Sequence, residues 1–201
     1  MRKLFLIPLV PIATIGSYCG IISIRPESEK LHVVMDLDNT ILQTVPIKGF
    51  KNINHSNAGK YHNLILSDGN EESDKGYFVW HRPFAHWSLW FLNKLFVVHV
   101  FTAATRDYGE SALEAFPGLF VNKRYYRDSV TQKNSHGKDL TLITSDKVVL
   151  VDDQLRNRTG EQEFYHIPPF SRFCRFDFEL PKLCLWSVYW VFQHDIQAYK
   201  K

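Results

Sequence analysis

Short apolar runs that stop abruptly on polar residues recur along this chain. "LHVVMD" (31–36), "VVHVFT" (97–102) and "DKVVLVDD" (146–153) are near-continuous aliphatic stretches, the pattern of strands buried on both faces. Other segments follow a different period. "FAHWSLWFLNKLF" (84–96) repeats aromatics and leucines at helical spacing, "DYGESALEAF" (107–116) is helical, and "LPKLCLWSVYWVFQHDIQAYK" (180–200) predicts a C-terminal helix. Its stripe of Trp186, Tyr189, Trp190 and Phe192 reads as core or membrane-facing surface, not a ligand box. "EFYHIPPF" (163–170) holds a short strand. "YHNLILSD" (61–68) and "GYFVWHRP" (76–83) are β-rich and flank the polar "GNEESDK", which predicts a hairpin with a polar tip. Residues 43–60, rich in Asn, Gly and Lys, read as a loop.

Strands alternate with helices. That order predicts an α/β fold, a Rossmann-like parallel sheet with helices on both faces. Ligands of such sheets bind beyond the carboxyl ends of the strands, where the three apolar runs deliver their polar residues.

The N-terminus follows neither period. From Leu4 to Ile24, 21 residues carry no charge, with Arg2 and Lys3 on one side and Arg25 on the other. A helix of that length spans a bilayer. Pro8 and Pro11 would break a helix in water, whereas membrane helices tolerate proline. A cleaved secretory signal is the alternative, but the run is long for one and lacks a small-x-small cleavage site. Gly16 and Gly20 form a GxxxG pair of the kind that packs membrane helices, which in one short segment is weak evidence. The predicted organisation is a membrane anchor and spacer over residues 1–30, then a single domain over 31–201.

The formal net charge of +3 is too mild for a nucleic-acid partner, which calls for a concentrated basic face. The three cysteines have no metal-type spacing, and their odd number does not suit a disulfide framework, so a reducing compartment is expected.

The strand ends carry the chemistry. "MDLDNT", "VFTAAT" and "LVDD" bring together Asp36, Asp38, Thr102, Asp152 and Asp153. So many carboxylates in one crevice call for a cation, and Mg²⁺ takes one or two carboxylates together with water and phosphate oxygens. Asp36 is placed to act as a nucleophile that takes a phosphoryl group, and Asp38, two residues on, as the general acid and base. Thr40 holds the loop by hydrogen bonding, and Thr102 offers a hydroxyl to a phosphoryl oxygen. A lysine is needed against the phosphoryl charge, and Lys138 in "HGKDL" lies in the right part of the chain. Each motif alone also fits a structural role, such as a turn, a strand-end cap or a helix N-cap. The ordered set is far more specific.

The layout resembles the haloacid dehalogenase superfamily, and within it the small C-terminal-domain phosphatase branch that includes the Dullard-type membrane-anchored phosphatases. Six motifs carry the likeness from about Leu31 to Phe170: "DLDNTI", "WHRP", "FTAATRDYG", "RYYRDS", "KDL" and "LVDDQL". The resemblance implies a Mg²⁺-dependent phosphoserine or phosphothreonine protein phosphatase, with a phosphorylated protein as substrate. Asp36 matches the nucleophile and metal ligand. Asp38 matches the acid/base, which also meets the metal through its backbone carbonyl. Thr102 and Lys138 match the phosphate contacts, Arg127 a substrate-contacting arginine, and Asp152 and Asp153 the metal motif. The family usually has Asn where Asp153 stands and follows it with Ser-Pro, which is absent here. The segment of about 61–82 corresponds to the family's small flap, with no large cap. The branch also implies a single-pass protein of the nuclear envelope or endoplasmic reticulum, with a possible regulatory subunit. It contains a second kind of protein, a presequence-binding receptor of the mitochondrial inner-membrane translocase, which is the alternative function and location.

Overall fold

The computed structural model describes residues 12–46, 63–64, 77–114, 116, 121–129, 137–174 and 176–199. The predicted buried runs become the middle of a parallel sheet. β1 (His32–Met35) lies between β5 (Val97–Phe101) and β7 (Val148–Asp152), in register from His32 against Val97 and Val148. β6 (Arg124–Tyr125) and β8 (Glu163–His166) form the edges, giving the order β6-β5-β1-β7-β8. The central strands read as aliphatic runs because both of their faces are covered.

Alternation along those strands divides the core in two. Val33, Met35, Val98, Val100, Val149 and Val151 face one way and meet the helices. These are α1 (Ile12–Ser23), α2 (Ala85–Leu95), α3 (Arg106–Glu114) and α4 (Glu179–Tyr199), and α2 packs on α4 and on α1. Val34, Phe101 and Leu150 belong to a second cluster with Leu140 and Ile143. This differs from the expectation of helices on both faces. Among the described residues, a 3₁₀ turn at Leu140–Leu142 supplies the second cover. The connection before β7 is thus used as a lid for the sheet, and its carbonyls and amides are tied down locally, as by Asp139, which caps the turn through the Thr141 amide.

A second, antiparallel sheet has the order β2-β4-β3, from β2 (Leu42–Pro46), β3 (Asn63–Leu64) and β4 (Tyr77–His81). The predicted pairing of the 61–68 and 76–83 segments is present where described, and residues 65–76 lie outside the described residues. Residues 43–46 correct the loop expected over 43–60. They continue a strand from Leu42 that pairs along the whole of β4, from Leu42–His81 to Pro46–Tyr77. Strand pairing across the sequence outweighs the local loop-like composition there.

The uncharged N-terminal run is described only from residue 12. Among the described residues, no helix is long and apolar enough to cross a membrane. The last turn of α1 packs into the domain. Ile22 is buried in the main core, Tyr18 meets Phe192 edge-on at 5.3 Å, and Tyr18 and Arg25 both bond Asp195 near the end of α4.

Candidate active site

The loop after β1 begins the site. Asn39 adopts a left-handed backbone (φ 59°), a conformation that Asn accepts more readily than most residues. Around it the amides of Thr40, Ile41 and Leu42 all turn back onto the Leu37 carbonyl. The tight turn leaves Asp36 buried and Asp38 partly covered, both beyond the carboxyl end of β1.

Arg82, directly after β4, fastens this loop from behind. It is 1% exposed. Its Nη1 donates to the Thr40 carbonyl at 3.0 Å, its Nη2 to the Pro168 carbonyl at 2.8 Å, and its Nε to Asp177 Oδ2 at 3.0 Å. The arginine was visible in "WHRP", but its structural partners were not.

Lys138 lies at the centre of the site. Its Nζ reaches Asp36 Oδ1 at 2.5 Å and Asp152 Oδ2 at 2.6 Å, and all three residues are buried. Its main chain is held by a bond to the Asn157 carbonyl, and its own carbonyl accepts from Thr159 and Gln162. The preceding residue must be glycine for this approach. A Cβ on Gly137 would fall 2.0 Å from Thr159 Cγ2.

Asp152 is held equally firmly. Asn157 Nδ2 lies 3.0 and 2.9 Å from its two oxygens, and the Gln154 amide donates to Oδ1 at 2.8 Å. Asn157 lies outside every motif read from the sequence, and nothing in its surroundings in the chain marks it. One carboxylate oxygen each from Asp36, Asp152 and Asp153 lies within 4.8 Å of the others. Asp153 Oδ1 is buried without a hydrogen-bond partner in the described structure. Three hard oxygen donors, one of them unsatisfied, fit a cation such as Mg²⁺.

The electrostatics match this crowding. Burial pushes the Asp36 carboxyl up to about 7, with Lys138 opposing the rise and Asp152 adding to it. Burial also raises Asp38, against the hydrogen bonds from Tyr108 and Thr44. It raises Asp153 too, and Asp152 reinforces the effect. For Lys138, burial favours the neutral amine, but Asp36 and Asp152 outweigh it and the ammonium is favoured.

The remaining predicted residues line the same end of the sheet. Thr40 Oγ1 donates to Asp36 Oδ2 at 3.4 Å and is fully buried. Thr102 is buried at the end of β5, and its Oγ1 accepts the Ala104 amide at 3.1 Å. Arg127 stands exposed beside that turn, its Nε donating to the Ala103 carbonyl at 2.9 Å. Tyr108 on α3 was quoted within a motif but given no role. Its hydroxyl bonds Asp38 Oδ1 and lies 2.8 Å from Thr44 Oγ1 on β2.

Residues 31–187 match the family model described as NLI interacting factor-like phosphatase. The chain belongs to this family. It is 27% identical over 127 residues to Nuclear envelope morphology protein 1 of Saccharomyces cerevisiae, covering 60% of this chain and 27% of that protein. It is also 27% identical over 135 residues to RNA polymerase II C-terminal domain phosphatase-like 4 of Arabidopsis thaliana, covering 62% and 30% respectively. This chain therefore spans under a third of the length of these relatives. Among solved structures, it is similar to the fission yeast RNA polymerase II CTD phosphatase Fcp1 bound to beryllium fluoride. The TM-score is 0.56 at 17% identity, over 82% of this chain and 51% of that one. A second structure of Fcp1 gives a TM-score of 0.58 at 16% identity, over 81% and 50%. These likenesses establish the α/β fold.

Proposed function

We propose that the chain is a Mg²⁺-dependent phosphoprotein phosphatase acting on phosphoserine or phosphothreonine through an aspartyl-phosphate on Asp36. The observation that carries this reading is the buried bridge of Lys138 between Asp36 and Asp152. A lysine so placed neutralises charge where a phosphoryl group arrives and fixes the nucleophile's orientation.

In the proposed reaction, one Asp36 oxygen bonds to phosphorus as the bond from phosphorus to the substrate oxygen breaks. Asp38 delivers its proton to that departing oxygen. In the second half, Asp38 takes a proton from the water that attacks phosphorus, and Asp36 is released as carboxylate. Thr102 and Arg127 contact the phosphoryl group and the substrate chain. Asp36, Asp152, Asp153 and the Asp38 carbonyl would hold Mg²⁺, which supplies charge neutralisation on the phosphoryl oxygens. The mitochondrial receptor reading draws on the shared family, the uncharged N-terminal run and the matrix-side bias of Arg2 and Lys3, whereas every acid of "DLDNT" and the lysine are in place here and favour the phosphatase.

The reading includes a location at the nuclear envelope or endoplasmic reticulum; residues 12–23 of the uncharged run are docked on the domain, so attachment through that run would require α1 to leave α4. The name of the yeast relative supports that location.

The test is hydrolysis of p-nitrophenyl phosphate by the chain with and without Mg²⁺, beside Asp36→Asn. Activity that requires both the metal and Asp36 is expected. Hydrolysis that survives Asp36→Asn would remove the nucleophile assignment.

A further inference from the structure

Asp38 needs more than proximity to act as an acid. A carboxyl group has two oxygens, and only one can carry the proton toward the leaving group. Both polar contacts of this side chain fall on Oδ1: the Tyr108 hydroxyl bonds it, and the Thr44 hydroxyl lies 3.4 Å away, a long contact. Among the described residues, none bonds Oδ2. An oxygen held from two sides is anchored, which leaves Oδ2 as the oxygen that faces the leaving group.

The two donors come from separate parts of the fold. Tyr108 belongs to the first turn of α3, which follows β5, and Thr44 lies in β2 of the small antiparallel sheet, opposite Val79 of β4. The hydroxyls of Tyr108 and Thr44 lie 2.8 Å apart, so the one Tyr108 proton goes either to Oδ1 directly or to Thr44, whose own proton then reaches Oδ1. The acid is therefore clamped between the body of the domain and the flap.

We infer that Tyr108 and Thr44 are positioning residues for Asp38, which hold Oδ1 and present Oδ2 to the leaving oxygen, and thereby tie the acid step to the placement of the flap. This rests on the phosphatase reading above and assigns that site a selectivity. The pair matters most for substrates whose leaving oxygen needs a proton, as the serine and threonine alkoxides do.

The test uses full-length protein and two aryl phosphates that differ in leaving group. p-Nitrophenolate departs with little need of a proton, and phenolate needs one. Because kcat/KM reports the first irreversible step, it isolates proton delivery to the leaving group. For Tyr108→Phe, kcat/KM on phenyl phosphate is expected to fall by roughly tenfold or more, within the usual span of general-acid contributions, with a clearly smaller loss on p-nitrophenyl phosphate. Thr44→Val, which preserves shape, should move the ratio in the same direction by less. Equal losses on both substrates, or no change in either variant, overturn the inference while leaving the phosphatase reading intact. A wild-type chain that hydrolyses neither substrate overturns both. Thermal unfolding of each variant identifies a folding defect, and Thr44→Val then decides the question if Tyr108→Phe does not fold.

Discussion

Arg82 and Asp177, 95 positions apart in the chain, form a buried ion pair that closes behind the loop after β1. The pair is more than a staple, because the same guanidinium holds the Thr40 carbonyl. Breaking one side of a buried pair strands the other charge and costs about 3–5 kcal/mol. Arg82→Leu is therefore expected to lower unfolding stability by about that amount and to reduce hydrolysis along with it. Denaturant melts read the first effect. A loss under ~1 kcal/mol would show that the pair is solvated in solution.

Asp153 adds a negative charge where the family usually has Asn. Asp153→Asn should weaken the apparent affinity for Mg²⁺ and lower the KM for an anionic phosphate, with activity retained. Mg²⁺ titrations of hydrolysis at fixed substrate provide the comparison. Tighter metal binding in the variant would contradict the role given to Asp153 Oδ1.

Asp36 makes stability depend on pH in an unusual direction. Its folded pKa of about 7 lies above the value of about 3.9 for an unfolded aspartate. Its contribution is therefore complete below about 4 and is lost as pH rises through 7. In chelator, lowering the pH from 8 to 6.5 should raise the melting temperature, and Asp36→Asn should abolish that rise. Below about 6.5 two buried histidines oppose it. Burial lowers His32, and burial with His32 nearby holds His99 down to about 4, so the folded state forgoes protons that the unfolded chain binds. The wild-type melting temperature should flatten there, and His99→Phe should restore part of the climb.

Truncation tests the seam between anchor and domain. Ile22 is 1% exposed, and Tyr18 and Arg25 grip Asp195. Removing residues 1–28 should cost about 1.5–3 kcal/mol more than a cut before Ile12, for Ile22 alone. Identical melting curves for the two truncations would mean that α1 does not dock in solution.

The sequence revealed the site better than its supports. The three central strands announced themselves because residues buried on two faces must be apolar, and the acids at their ends had to break that pattern. Lys138 was expected from the charge a phosphoryl group would bring, and the structure places it between Asp36 and Asp152. β2 was hidden, since its pairing with β4 is a relation between distant segments that no local composition records. Asn157 was hidden for the same reason, because its role exists only where the chain returns to Asp152. Tyr108 was in plain view within "RDYG", but one letter does not say which oxygen it will bond.

The clamp of α1 on α4 limits what the uncharged run can do. Tyr18 and Arg25 both hold Asp195, and Ile22 lies in the main core. While those contacts stand, residues 12–23 belong to the domain and cannot also lie in a bilayer. Docking on α4 and insertion into lipid are therefore exclusive states of one helix. A membrane that draws α1 in must first release Asp195, about 24 Å along α4 from its start beside the Arg82–Asp177 pair, at 1.5 Å per residue.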